Sequence, residues 1–163
     1  MINLKKKPKC VLVVDDDEKI RCLISELLKN LDYEVTCAVN GQDALQIYQR
    51  GHFDIVLSDL MMKPMDGLEL LNKIKEINPA VIFIIITGYP SIKTTIEAIR
   101  KGANDYITKP FNIDEINMKI ERALLERSLH ERLKNIKGIV WALIISIPVW
   151  LILGIILASV LRE

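Results

Sequence analysis

The chain has 163 residues, room for one ordinary domain, and its 22 lysines and arginines against 21 acids leave a net charge of +1. That balance argues against a protein that coats a polyanion. The 50% apolar content excludes a wholly disordered chain, and the 6% aromatic content speaks against a large stacking surface for single-stranded nucleic acid.

The charge is spread unevenly. Residues 1–9 carry four lysines and no acid, residues 10–118 carry 11 bases and 17 acids, and residues 119–138 carry six bases and three acids. An acidic body therefore lies between two basic flanks. Residues 1–8 read as a basic tail, suited to solvent or to anionic lipid headgroups.

From residue 10 the pattern alternates. Short, mostly β-branched apolar runs at 10–14, 34–38, 53–58, 81–86 and 104–107 read as strands buried on both faces. Between them lie helical patterns. Residues 18–30 place Ile20, Leu23, Ile24, Leu27 and Leu28 on one stripe. Asn40 is an N-cap for a helix to about Arg50, which Gly51 stops. A helix over 67–77 ends at Asn78-Pro79, and one over 91–101 ends at Gly102. Asn112 opens the last helix, with Glu115 three residues on in a capping-box arrangement. Five strands alternating with five helices predict a doubly wound parallel α/β sheet. Three cysteines, Cys10, Cys22 and Cys37, make an odd count without a Cys-x-x-Cys pair, and are expected as reduced, mostly buried thiols.

The final helix continues beyond the body. Leu125, Leu129, Leu133, Ile136 and Val140 form a helical seam at spacings of 4, 4, 3 and 4, through a basic connector at 128–138. The seam suits a short coiled coil with a second copy, a homodimer, or a helix lying near lipid. Residues 139–161 then run for 23 positions without a charge. At ~1.5 Å per residue that is ~34 Å, enough for a ~30 Å hydrocarbon core, so a transmembrane helix is expected. Arg122, Arg127, Arg132, Lys134 and Lys137 precede it and only Arg162 follows. The positive-inside rule then predicts a single-pass protein of the inner (cytoplasmic) membrane with residues 1–138 in the cytoplasm. Gly154 and Ala158 form a small-x-x-x-small pair within the span.

Ligands of parallel α/β sheets bind beyond the carboxyl ends of the strands, so the residues there carry the chemistry. The first strand ends in Asp15-Asp16-Asp17, the third in Asp59 and the fourth in Thr87, while Lys109-Pro110 follows the fifth. With the first and third strands adjacent, Asp15, Asp16 and Asp59 converge. Three carboxylates in one cleft repel, and a hard divalent cation with oxygen ligands, Mg²⁺ first, relieves them. Lys109 neutralises one more charge. Mg²⁺, an ammonium and a hydroxyl can share the oxygens of a phosphoryl group while a carboxylate attacks phosphorus. An aspartate-nucleophile phosphatase is the enzymatic alternative. It lacks the hydroxyl residue wanted at 19, which is lysine, and room for a cap domain. A flavin-binding relative would need Ser, Thr and Gly after the first strand, where the chain is acidic.

These anchors, VLVVDDDEK at 11–19, DIVLSDLMM at 54–62, MDGLELL at 65–71 and ITGYPSIKTTIEAIRKGANDYITKPF at 86–111, resemble the receiver domain of bacterial two-component response regulators. The match covers 9–127. It implies a flavodoxin-like sheet in the order 2-1-3-4-5 and phosphorylation of Asp59 by a sensor histidine kinase or phosphotransfer protein. It implies Asp16, Asp59 and the Met61 main-chain carbonyl as direct Mg²⁺ ligands, with Asp15 acting through metal-bound water. Thr87 and Tyr106 match the family's switch pair, Lys109 its phosphate-pairing lysine, and Lys109-Pro110 its cis peptide. Two features depart from the family: the loop reads Met62-Lys63-Pro64 where Met-Pro-x is usual, and an apolar helix stands where an output domain is usual. The expected protein is a phosphorylated switch rather than a turnover enzyme. It would lie at the lipid bilayer, act on a membrane-proximal effector and make no direct contact with DNA. A constitutive scaffold with a receiver fold is the alternative.

Overall fold

The computed structural model describes the backbone of residues 8–160 and the side chains of residues 8–133, 136, 144 and 146. Strands β1 (Cys10–Val14), β2 (Glu34–Ala38), β3 (Ile55–Asp59), β4 (Ile82–Thr87) and β5 (Asp105–Thr108) alternate with helices α1 (Glu18–Lys29), α2 (Gly41–Arg50), α3 (Gly67–Ile77), α4 (Ile92–Arg100) and α5 (Ile113–Val160). The strands form one parallel sheet in the order β2-β1-β3-β4-β5, the flavodoxin-like arrangement expected from the sequence. The chain divides into two units, Met1–Leu124 and Leu125–Glu163.

In the first unit, alternate residues of the central strands serve opposite cores, because side chains along a strand alternate in direction. Leu12, Val56, Phe83 and Ile85 pack with Ala44 and Tyr48 of α2, Leu70, Leu71 and Ile74 of α3, and Ala98 of α4. Val11, Ile55, Leu57 and Ile84 pack with Ile24 and Leu28 of α1 and with Ile116, Ile120 and Ala123 of α5. Burial on both faces is complete only in β3 and β4, and nearly so in β1. The edge strand β2 exposes Glu34, Thr36 and Cys37, and β5 buries fully only Ile107.

Several sequence expectations are corrected. The thiols are not mostly buried. Cys22 and Cys37 are exposed and Cys10 is half-buried, because Cys22 sits on the helix face opposite Ile24 and Cys37 on an edge strand. The α1 stripe is rotated: Leu23 is exposed while Ser25 is buried, since Ile24 and Leu28 set the contact line. Strands β3, β4 and β5 lie one or two residues further along the chain than the apolar runs, since the ladder pairs Ile55 with Ile82 and Ile84 with Asp105. Ser91 and Lys101 are the caps of α4 rather than its ends.

The helix starts at Asn40 and Asn112 follow the sequence signals, and the other caps emerge only in the structure. Asp17, Asn40, Asp66 and Ser91 each accept hydrogen bonds from free N–H groups in the first turn of α1, α2, α3 and α4. The Asn112 side chain accepts from the Glu115 N–H at 2.7 Å as α5 begins. The Lys63-Pro64 and Lys109-Pro110 peptides are both cis.

Among the described residues, no helix is long and apolar enough to cross a membrane. The span expected at 139–161 lies outside the described residues, apart from its helical backbone to Val160 and the side chains of Ile144 and Ser146. The basic residues 1–7 also lie outside them.

Candidate functional site

The parallel register sets the carboxyl ends of β1, β3 and β4 side by side. Val14 pairs with Ser58, and Asp59 with Ile86. The next residue of β1, Asp15, thus falls beside Asp59. Both are buried, at 2% and 6% exposure. Lys109, which follows β5, donates to both, at 2.7 Å to Asp15 Oδ2 and 2.7 Å to Asp59 Oδ1. The other oxygen of each carboxylate takes a backbone N–H: Asp17 donates to Asp15 Oδ1 and Met61 to Asp59 Oδ2.

Burial pushes the Asp15 carboxyl above its ordinary range, and the Asp59 charge adds to this. The hydrogen bond and charge of Lys109 and the Asp17 N–H pull the other way without winning. Burial also works against the Lys109 ammonium, but its hydrogen bonds to Asp15 and Asp59 and their charges outweigh it, and its pKa is raised. Lys109 is thus held charged between two carboxylates.

The three consecutive aspartates have three different surroundings. Asp15 is buried on Lys109, Asp16 is exposed, and Asp17 caps α1, accepting from the Lys19 N–H at 2.8 Å. The structure therefore brings Asp15, Asp59 and Lys109 together and leaves the Asp16 carboxylate outside that cluster. Among the described residues, no three His, Cys, Asp or Glu side chains form a metal-holding group. The donor chemistry nevertheless fits the expected Mg²⁺. Asp15 and Asp59 less Lys109 leave a formal charge of −1 with oxygen donors only, the exposed Asp16 adjoins them in the chain, and Mg²⁺ generally takes one or two carboxylates and keeps several waters.

Thr87 ends β4 fully buried, and its hydroxyl oxygen accepts from the Tyr89 N–H at 3.2 Å. The hydroxyl proton therefore remains available for donation. Tyr106 on β5 is half-buried and packs against the core on the α2–α3–α4 side. Its phenolic oxygen is buried with no hydrogen-bond partner among the described residues.

Some positioning residues carried no sequence signal of their own. The Arg21 guanidinium donates to the Asp15 carbonyl at 2.7 Å and pins the turn after β1. Lys119 donates to Asp105 at 2.6 Å and to the Tyr106 carbonyl at 3.1 Å, fixing β5. Gly67 opens α3 where any Cβ would collide with the Asp59 carbonyl oxygen, and its N–H donates to the Leu60 carbonyl at 3.0 Å. Its signal was the Asp66-Gly67 pair.

The model of the response regulator receiver domain matches residues 11–121. The chain belongs to the response regulator receiver domain family. The regulatory protein AtoC of Escherichia coli (strain K12) is 35% identical over 126 residues, covering 77% of this chain and 27% of AtoC. The transcriptional regulatory protein ZraR of Klebsiella oxytoca is 40% identical over 121 residues, covering 74% of this chain and 27% of ZraR. The chain thus spans about a quarter of the length of these curated relatives. Among solved structures, a CheY-like receiver domain protein from Methanospirillum hungatei JF-1 superposes with a TM-score of 0.73 at 32% identity, over 76% of this chain and 98% of that one. The receiver is a phosphoacceptor signalling domain, and the Asp59–Lys109–Asp15 cluster lies at the strand ends where a doubly wound sheet binds its ligand.

Proposed function

We propose that this chain is a membrane-tethered receiver that accepts a phosphoryl group on Asp59 from the phosphohistidine of a sensor histidine kinase or phosphotransfer protein. The observation that carries this reading is the placement of Asp59. It is a buried carboxylate at the end of β3, with one oxygen on the Lys109 ammonium and the other on the Met61 N–H.

An Asp59 carboxylate oxygen attacks phosphorus, the P–N bond to the donor histidine breaks, and the imidazole leaves with that electron pair. The product is an acyl phosphate, which adds negative charge to the pocket. Lys109, already charged, moves part of its hydrogen bonding from carboxylate to phosphoryl oxygen. The Thr87 hydroxyl donates a second hydrogen bond. Tyr106, with an apolar ring and an unsatisfied buried hydroxyl, is free to change position when Thr87 moves. Mg²⁺ would be held by Asp16, Asp59 and the Met61 carbonyl, with Asp15 reached through water, and when bound it supplies positive charge to the phosphoryl oxygens. The output is a phosphorylation-dependent contact with a membrane-proximal effector.

The tether rests on the uncharged run at 139–161 and the basic residues before it. Carbonate extraction of membranes tests it: the chain stays in the pellet if anchored, and release would remove the tether. Phosphorylation is tested on the full chain with acetyl phosphate and Mg²⁺, read on a phosphate-affinity gel beside Asp59→Asn and an EDTA control. A Mg²⁺-dependent shift lost in Asp59→Asn is expected. No shift in the folded protein would favour a constitutive scaffold.

A further inference from the structure

From residue 125 to 137 the second unit contains four large apolar residues, Leu125, Leu129, Leu133 and Ile136, and every other position is polar or charged. All four are on the surface of α5, at 60%, 49%, 56% and 55% exposure. At ~100° per residue they fall within an arc of ~80°, narrower than the broad apolar face of a helix that packs on a core or lies in a headgroup layer.

Their spacing of 4, 4 and 3 makes eleven residues over about three turns, the repeat that keeps a seam almost parallel to the helix axis. The same spacing reaches Val140, Ile144 and Ile147 in the sequence, but the positions around those are apolar as well, so the narrow stripe is the stretch from 125 to 136. A stripe that is straight, narrow and continuous over several turns is the geometry of a helix–helix seam. Its edges carry opposite charges, Glu126 on one side and Arg132 on the other.

We propose that a second copy of this chain pairs with the first along this stripe, parallel and in register. Opposite edges of two parallel helices face each other, so Glu126 of each copy comes beside Arg132 of the other, on both sides of the seam. A surface of anionic lipid would meet Arg132 equally well but would repel Glu126. The parallel sense rests on the anchored reading of 139–161, in which both copies enter the membrane in the same direction. The pairing itself rests on the stripe and does not depend on Asp59.

The test places single cysteines in the full chain after Cys10, Cys22 and Cys37 are replaced by serine. Leu125→Cys, Leu129→Cys, Leu133→Cys and Ile136→Cys report the seam, and Arg127→Cys and Glu131→Cys report the opposite face. Oxidative cross-linking is run in whichever cell fraction holds the chain and read on a non-reducing gel. All four seam positions are expected to self-cross-link several-fold more than the two controls, with or without Asp59→Asn. Glu126→Arg should weaken the cross-link, and adding Arg132→Glu should restore it. Equal cross-linking at all six positions would overturn the proposal, as would cross-linking confined to the middle of the stripe, which marks antiparallel pairing. Seam thiols shielded from aqueous maleimide without cross-linking would assign the stripe to lipid. Carbonate extraction reads the anchor separately: a soluble chain with all four seam cross-links keeps the dimer and loses only the membrane argument.

Discussion

Replacing Lys109 with methionine keeps the length and apolar stem of the side chain and removes only the ammonium. The Lys109 side chain is 18% exposed, and its ammonium lies 2.7 Å from each of two carboxylates with side-chain exposures of 2% and 7%. At an effective dielectric of about 20, each contact is worth about 6 kcal/mol of attraction, and desolvation of the three groups offsets most of it. Removing one partner of such a buried set costs about 3–5 kcal/mol, because the carboxylates remain buried and face each other. Urea unfolding of the full chain, followed by circular dichroism, should show that loss at neutral pH. Without Lys109 its hydrogen bond, the strongest influence lowering the Asp15 pKa, and its charge are gone, while burial and the Asp59 charge remain against the Asp17 N–H alone. A carboxyl raised in the folded state contributes stability that is present below its unfolded value and lost as pH rises through the folded one. The deficit of Lys109→Met should therefore shrink toward pH 4, and adding Asp15→Asn should recover much of it at neutral pH. A variant within about 1 kcal/mol of the parent, or a deficit independent of pH, would refute the electrostatic account.

Gly67→Ala should destabilise the domain by about 1–3 kcal/mol or displace α3, because the new methyl meets the Asp59 carbonyl; Leu68→Ala beside it lacks that collision, and comparative urea midpoints check this. Asp17→Ala should cost about 1 kcal/mol through loss of the α1 cap, while Asp17→Asn restores stability and neither abolishes phosphorylation of Asp59. The Tyr33 hydroxyl is pushed up from its ordinary range by burial first, and then by its hydrogen bond to Glu121 and the Glu121 charge. Its protonated form is the one the fold prefers, so this stability is present below about pH 10 and lost above it as the folded group titrates. Tyr33→Phe should flatten that alkaline loss of stability in a pH series of unfolding midpoints.

Much of the site was legible because its residues sit where sequence grammar is strongest. A β-branched run followed at once by aspartate marks a strand end, and the order and spacing of Asp15, Asp59, Thr87 and Lys109 place all four at one edge of a parallel sheet. The caps Asn40 and Asn112 were legible for the same local reason, since each acts on an N–H group three residues away. What escaped depends on contacts between distant segments. The Arg21 guanidinium meets the Asp15 carbonyl and the Lys119 ammonium reaches Asp105, contacts that no local pattern encodes. The cysteines misled because small apolar residues are buried on average, whereas exposure at 22 and 37 follows from helix phase and strand order.

By itself, then, the sequence determined the alternation of strands and helices, the caps at Asn40 and Asn112, the strand ends that bear the chemistry and the uncharged run at 139–161. Each of these is written in local periodicity and local hydrogen bonding. Only the tertiary structure decided how the three neighbouring aspartates divide their work. Peptide geometry separates Asp15, Asp16 and Asp17 by single residues, but their environments differ. Asp15 is buried because β1 lies beside β3, and it is paired because the residue after β5 reaches back across the sheet to it. Asp17 turns instead to the start of α1. Burial and counter-charge are properties of the assembled sheet, and no stretch of the chain read alone contains them.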